Sequence, residues 1–142
     1  MIKEIVEAIT AALDAATDGK CEIYTEDVAQ GLEEPCFFVK QLEVVNNRRL
    51  GSRVKRKYPF DILYFPRDSD TKKYEMYEME DVLQDSMEYI TLANGNLLRA
   101  SDISSEIVDD VLHVYVSYSV TLDAPKQSTS MEELKAGQKL KG

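Results

Sequence analysis

A chain of 142 residues has room for one packed core, and a hydrophobic content of 44% is that of an ordinary globular protein, which excludes global disorder. With 26 acidic against 17 basic residues it carries a formal net charge of −9, which argues against nucleic acid as the main ligand and against an anionic membrane surface. Charge breaks every apolar stretch well before the roughly 20 residues that a bilayer span requires. Glu4, Glu7 and Asp14 interrupt the apolar pattern of the N-terminus, which a secretory leader does not tolerate, so the expectation is a protein made and kept in a cytosol.

In chain order, Ile2, Ile5, Val6, Ile9 and Leu13 recur at helical spacing, supported by Ala8, Ala11, Ala12, Ala15 and Ala16, and predict an amphipathic helix that stops near Gly19. Cys21 to Thr25 alternates and reads as a short strand. After a polar connection over residues 26–35, a second strand runs from Cys36 to about Val45. Phe38, Leu42 and Val44 lie on one of its faces and Phe37, Val39 and Val45 on the other, which puts it inside the sheet. A third strand, from about Val54 to Phe65, alternates Tyr58, Phe60, Ile62 and Tyr64 with Pro59, Asp61, Leu63 and Phe65. Pro59 cannot donate a ladder hydrogen bond and suggests an edge or a bulge. Residues 46–53 form the tip of a long hairpin between these two strands.

Asp70 is a candidate cap for a second helix from about Thr71 to Ile90, with Tyr74, Tyr77, Val82, Leu83, Met87 and Ile90 as its buried set. Asn94-Gly95 signals a tight turn between Thr91-Leu92 and Leu97-Leu98, and residues 106–110 form a further connection. Val111 to Leu122 alternates most cleanly, with Leu112, Val114, Val116, Tyr118, Val120 and Leu122 facing one way and His113, Tyr115, Ser117, Ser119 and Thr121 the other. The expected fold is α+β: a mainly antiparallel sheet of about four or five strands with two helices packed on it, in the order α-β-β-β-α-β-β. Residues 1–123 form a single domain in this reading. Residues 124–142, rich in Lys, Ser, Gln and Gly, form a flexible tail, in which Ser130 and Glu133 have capping-box spacing for one marginal helical turn.

Reactive chemistry has little support in this pattern. His113, the single histidine, has no cysteine neighbour or patterned carboxylates to make a metal site, and no identifiable partner that would make it a general base. Cys21 and Cys36 read as free thiols in strands, not as a disulfide framework. The glycines form no phosphate-cradling loop, and no serine sits in a nucleophile elbow. Catalytic residues, cofactors and metals are therefore all expected to be absent.

Charge is distributed unevenly. From Asn46 to Lys57 the chain carries Arg48, Arg49, Arg53, Lys55, Arg56 and Lys57 and no acid, whereas Asp68 to Glu88 carries eight acids against Lys72 and Lys73. Within that acidic run Glu78, Asp81, Asp85 and Glu88 recur at three- and four-residue spacing, as on one exposed helix face. Opposite poles on one chain permit head-to-tail pairing, which closes into a ring when the rotation allows. A solubilising hairpin and a solvated helix without a partner is the alternative, and contact of the basic loop with DNA in a channel is a third.

Two segments carry a family resemblance: Tyr24-Thr25-Glu26-Asp27-Val28-Ala29-Gln30-Gly31 with Glu34-Pro35-Cys36-Phe37-Phe38, and, downstream, Arg56-Lys57-Tyr58-Pro59-Phe60-Asp61-Ile62-Leu63-Tyr64-Phe65-Pro66. Together they resemble the tail terminators, small phage and prophage proteins, over roughly residues 1–123 in element order. The resemblance implies an α+β fold and a non-enzymatic place in the tail of a phage or phage-like particle. It implies a ring, generally a hexamer, that forms on the head-proximal end of the tail tube, stops tube growth and offers a surface to the head-side connector or stopper. DNA would only pass through the lumen, and no membrane is involved. In such a ring Arg48, Arg49, Arg53, Lys55 and Arg56, with Glu75, Glu78, Asp81 and Asp85, are the candidate subunit-interface or lumen residues. Other readings are a neck or head-completion protein, a component of a contractile bacteriocin-like tail, a small-ligand or peptide-binding module with a groove near His113, Tyr115 and Tyr118, and an enzyme with a non-obvious site.

Overall fold

The computed structural model describes residues 1–25, 31–48 and 51–123. The apolar periodicity of the N-terminus produces helix α1 (Ile2–Ala16), whose Ile5, Ala8, Ile9 and Leu13 are buried. The helix closes through two left-handed residues, Asp18 (φ 53°) and Gly19 (φ 70°), and the Gly19 N–H donates to the Asp14 carbonyl at 2.9 Å. Such a reversal satisfies the carbonyls that the last turn leaves free.

Among the described residues, seven strands follow the expected α+β pattern but outnumber the expected four or five: β1 (Glu22–Tyr24), β2 (Cys36–Gln41), β3 (Val45–Arg48), β4 (Arg53–Phe65), β5 (Tyr89–Thr91), β6 (Leu97–Val108) and β7 (Val111–Asp123), with α2 (Lys72–Ser86) between β4 and β5. The sheet order is β1-β2-β4-β7-β6-β5, and β3 pairs with β4. β1 runs parallel to β2, whereas the β2–β4, β5–β6 and β6–β7 pairs are antiparallel.

The single second strand expected from Cys36 to Val45 is two strands. The β2–β4 ladder ends at Gln41↔Phe60, the Leu42 N–H donates to the Pro59 carbonyl at 2.9 Å, and β3 begins only at Val45. Pro59 is not on an edge strand, because β4 lies between β2 and β7. It sits one residue past the last β2–β4 pair, where its carbonyl still accepts a bond, and a missing donor is tolerated at such a ladder end.

Helix α2 differs from expectation at both ends and in its buried face. Thr71, not Asp70, is the residue at the N-cap, and the Thr71 N–H is held by the Ser69 hydroxyl at 3.3 Å. The helix stops at Ser86, because Tyr89–Thr91 pairs with β6 as a strand. Met76 and Leu83 are buried within the helix, with Met87 and Ile90 beyond it. Tyr74, Tyr77 and Val82 are exposed instead of buried. The period of 3.6 explains this: Met76, Leu83 and Met87 fall on one stripe, and Tyr74 is two residues, or about 200°, away from it.

Asn94-Gly95 makes the turn that its sequence promised. Gly95 has φ 90°, its N–H donates to the Leu92 carbonyl at 2.8 Å, and Leu92 in turn donates to Asn96 at 2.8 Å. The expected connection over residues 106–110 is shorter than read, since β6 continues to Val108 and turns through Asp109 and Asp110 alone. Both have positive φ (51° and 61°), the pair of angles a two-residue hairpin turn requires.

The chain forms two compact units. The larger comprises Met1–Val44 and Lys57–Ser119 and holds both helices. Its core joins the α1 stripe and α2 to Phe37, Val39, Phe60, Ile62, Leu112, Val114, Val116 and Tyr118. The Tyr118 hydroxyl, fully enclosed, donates to the Met87 carbonyl at 2.6 Å. The described part of the smaller unit holds β3 with the ends of β4 and β7, and the Arg56 Nε donates to Asn46 Oδ1 at 2.6 Å. The tail expected over residues 124–142, its helical turn and the hairpin tip at Arg49-Leu50 lie outside the described residues.

Leu83→Ala should cost about 2–5 kcal/mol, from lost burial plus a residual cavity. Tyr118→Phe should cost about 1–3 kcal/mol by orphaning the Met87 carbonyl. Urea denaturation of both variants measures these losses directly.

Candidate functional site

Two kinds of surface carry polar chemistry: the sheet face turned away from the helices, and the outward side of α2. On the first, alternation along β4 and β7 brings Asp61 and His113 to the same face although they are 52 residues apart in sequence. His113 Nδ1 lies 3.0 and 3.2 Å from the two Asp61 oxygens. An ionised carboxylate only accepts, so Nδ1 carries the proton. Asp61 is 8% exposed, and its register partner on β2 is Lys40. His113 stacks on Tyr115 at 5.9 Å and pairs across the ladder with Glu106. The Tyr115 hydroxyl donates to Glu106 at 2.9 Å, and this bond is the main reason its pKa is pushed up to about 12. A belt of Lys40, Asp61, His113 and Glu106 therefore crosses four strands. Two rows along, past the Tyr115–Ser104 row, Lys57 Nζ meets Asp102 at 3.0 Å.

An acid–imidazole pair is the orienting half of many catalytic sites. Here, among the described residues, no serine hydroxyl or cysteine thiol bonds to the imidazole, and no group of three or more potential metal ligands occurs. Asp61 and His113 answer each other and the Tyr115 hydroxyl answers Glu106, whereas Lys40 and Glu106 are exposed. The groove expected near His113, Tyr115 and Tyr118 does not form from these three residues, because Tyr118 is fully buried in the core and points to Met87.

The cysteines are free, Cys36 buried and Cys21 half-buried. Burial raises both thiol pKa values, that of Cys36 to about 11. A groove of about 780 Å³ runs between α1 and β1, with Val6, Ala11 and Ile23 in its walls and Lys3, Glu7 and Asp14 at its rim. Among the described residues no helix is long and apolar enough to cross a membrane.

The second surface sorts the acids that sequence spacing grouped together. Glu75 is half-buried and accepts a long bond from the Tyr64 hydroxyl at 3.5 Å; Glu80 is bonded to the Ser105 hydroxyl, and Glu88 meets Arg99 at 3.5 Å. Glu78, Asp81 and Asp85 remain exposed and, among the described residues, without a cationic partner within 4 Å. They continue a stripe begun by Tyr74 and Tyr77, which are 70% and 47% exposed and meet edge to face at 6.2 Å. Sequence reasoning placed these tyrosines in the core and so missed them. The absence of apolar residues three and four positions after Tyr74, other than Tyr77 itself, was the available signal.

On the basic side, β4 carries Arg53, Lys55 and Arg56, while Arg48 closes β3 and Arg49 lies outside the described residues. Alternation puts Arg53 and Lys55 on one face of β4 and Arg56, tethered to Asn46, on the other. The candidate cations are thus divided between two faces of one ribbon.

A family model described as phage tail terminator protein matches residues 4–130. The chain belongs to the phage tail terminator family. The match covers α1 from Glu4 onward, α2, every described strand and both surfaces just described, and it extends beyond the expected limit near residue 123. No curated protein matches the chain.

A double-mutant cycle of Asp61→Asn and His113→Gln should return a coupling energy of about 0.5–3 kcal/mol in urea denaturation. In native protein at pH 8, Cys36 should resist iodoacetamide, since a thiol of pKa about 11 is roughly one-thousandth thiolate there. Cys21 should react first, and mass spectrometry of the alkylated peptides reads the order.

Proposed function

We propose that this terminator assembles as a ring of identical subunits on the head-proximal end of the phage tail tube, ends tube growth and presents the surface on which the head-side connector docks. The observation that carries this reading is the family match across residues 4–130. The exposed acids of α2 and the cluster of basic residues on β4 are consistent with a protein that meets several neighbours. Its role is structural, exercised in the virion tail after synthesis in the host cytoplasm. DNA passes through the lumen as cargo without being read, in keeping with a net charge of −9.

Adding purified protein to polymerising tail-tube protein should shorten the tubes in proportion to its concentration and leave extra density at one end in negative-stain micrographs. Tubes of unchanged length with bare ends would rule this role out.

A further inference from the structure

We infer that the outward face of α2 receives the basic β3–β4 ribbon of a second copy of this chain, with Tyr74 and Tyr77 as the anchor and Glu78, Asp81 and Asp85 as the charge partners of Arg53 and Lys55. The inference deepens the ring reading above and takes its biological setting from it. Three observations lead to it. First, the tyrosine pair is exposed without need: a 15-residue helix that buries only Met76 and Leu83 within its span could carry polar residues at positions 74 and 77 at no cost to its core. Tyrosine is enriched at protein interfaces because it combines apolar area, a polar tip and few rotatable bonds.

Second, the acids divide cleanly by use. Glu75, Glu80 and Glu88 engage groups of their own chain, whereas Glu78, Asp81 and Asp85 follow the tyrosines at helical spacing on the solvent side. Third, the same chain carries the complement. Arg53 and Lys55 share one face of β4 and, among the described residues, have no acidic partner within 4 Å; their neighbours are already committed, Arg56 to Asn46 and Lys57 to Asp102. An arginine laid on the Tyr74 ring adds cation–π attraction, as Arg99 already does on Tyr89 at 5.7 Å. The two surfaces are different, so the contact is heterologous and propagates from copy to copy until it closes.

Charge exchange tests this on the full chain. Variant one carries Glu78→Lys and Asp81→Lys; variant two carries Arg53→Glu and Lys55→Glu. Self-association is measured by native mass spectrometry and by carbodiimide coupling of mixed ¹⁴N and ¹⁵N protein at low salt, with and without tail tubes. In the wild type, mixed-isotope cross-links should join Lys55 to Glu78, Asp81 or Asp85. Each variant alone should associate at least about tenfold more weakly, and an equimolar mixture of the two should recover, because every contact in an alternating assembly again joins opposite charges. Tyr74→Ala should weaken association at high salt too, with its urea midpoint unchanged. The inference is overturned if mixed-isotope cross-links at these residues are absent in both settings, if the mixture is no better than either variant, or if the α2 acids couple to tube protein instead. Tube termination that fails while complementation succeeds would count against the ring's position on the tail and leave the interface standing.

Discussion

Burial of one face of β7 is the constraint on which the rest of the molecule depends. The strand lies between β4 and β6, and its Leu112, Val114, Val116 and Tyr118 are buried in the core, Tyr118 against the residue that follows α2. Because side chains alternate with a period of two, a slip of one residue would drive His113 and Tyr115 into the core and strip it of four large apolar groups. At about 1.5–3 kcal/mol for each buried side chain, such a slip would cost an amount comparable to the whole stability of a typical domain. Tyr118 ties the strand to the end of α2 through the Met87 carbonyl, so the register of β7 also sets where α2 stops.

The opposite face holds the same register by polar means. Lys40, Asp61, His113 and Glu106 form one row across four strands, and Lys57 reaches Asp102 two rows away. An exposed ion pair such as Lys57–Asp102 contributes about 0–1 kcal/mol. The Asp61–His113 bond is different in kind, because Asp61 is nearly enclosed and a misplaced strand would leave its carboxylate without a donor. Apolar packing supplies the energy on one side of the sheet, and polar pairing rejects alternatives on the other.

What could be read from the residues follows the strength of local signals. α1, the Asn94-Gly95 turn and β7 carried clear periodicity or turn chemistry, and they appear close to where those signals put them. β6 was not recognised as a long strand because none of its residues is fully buried: Ser101, Asp102, Ser104 and Glu106 are exposed while Ile103, Ser105 and Ile107 are only half-covered. The end of α2 was misread because Met87 and Ile90 continue an apolar pattern that tertiary pairing with β6 redirects into a strand. The Asp61–His113 pair was out of reach, since it exists only once β4 and β7 are neighbours. Charge segregation was legible as composition, but which acids remain available depends on Tyr64, Ser105 and Arg99, all supplied by other elements.

That sorting of acids bears on how a ring of this kind would avoid forming in the wrong place. Three exposed carboxylates facing two cations give only a few weakly coupled, salt-screened pairs, each worth about 0–1 kcal/mol. Two tyrosines add apolar area but not a core, so one contact between two free copies is weak. A heterologous contact that were strong in isolation would polymerise free subunits into open filaments whenever the rotation failed to close. Weak lateral contacts become decisive when several copies are already held side by side on a common platform, because each further contact is then intramolecular and its effective concentration is high. In the ring proposed above, an interface built mainly from charge, with a small aromatic anchor, would therefore suit a subunit that stays dispersed in solution and closes only where a template presents its neighbours.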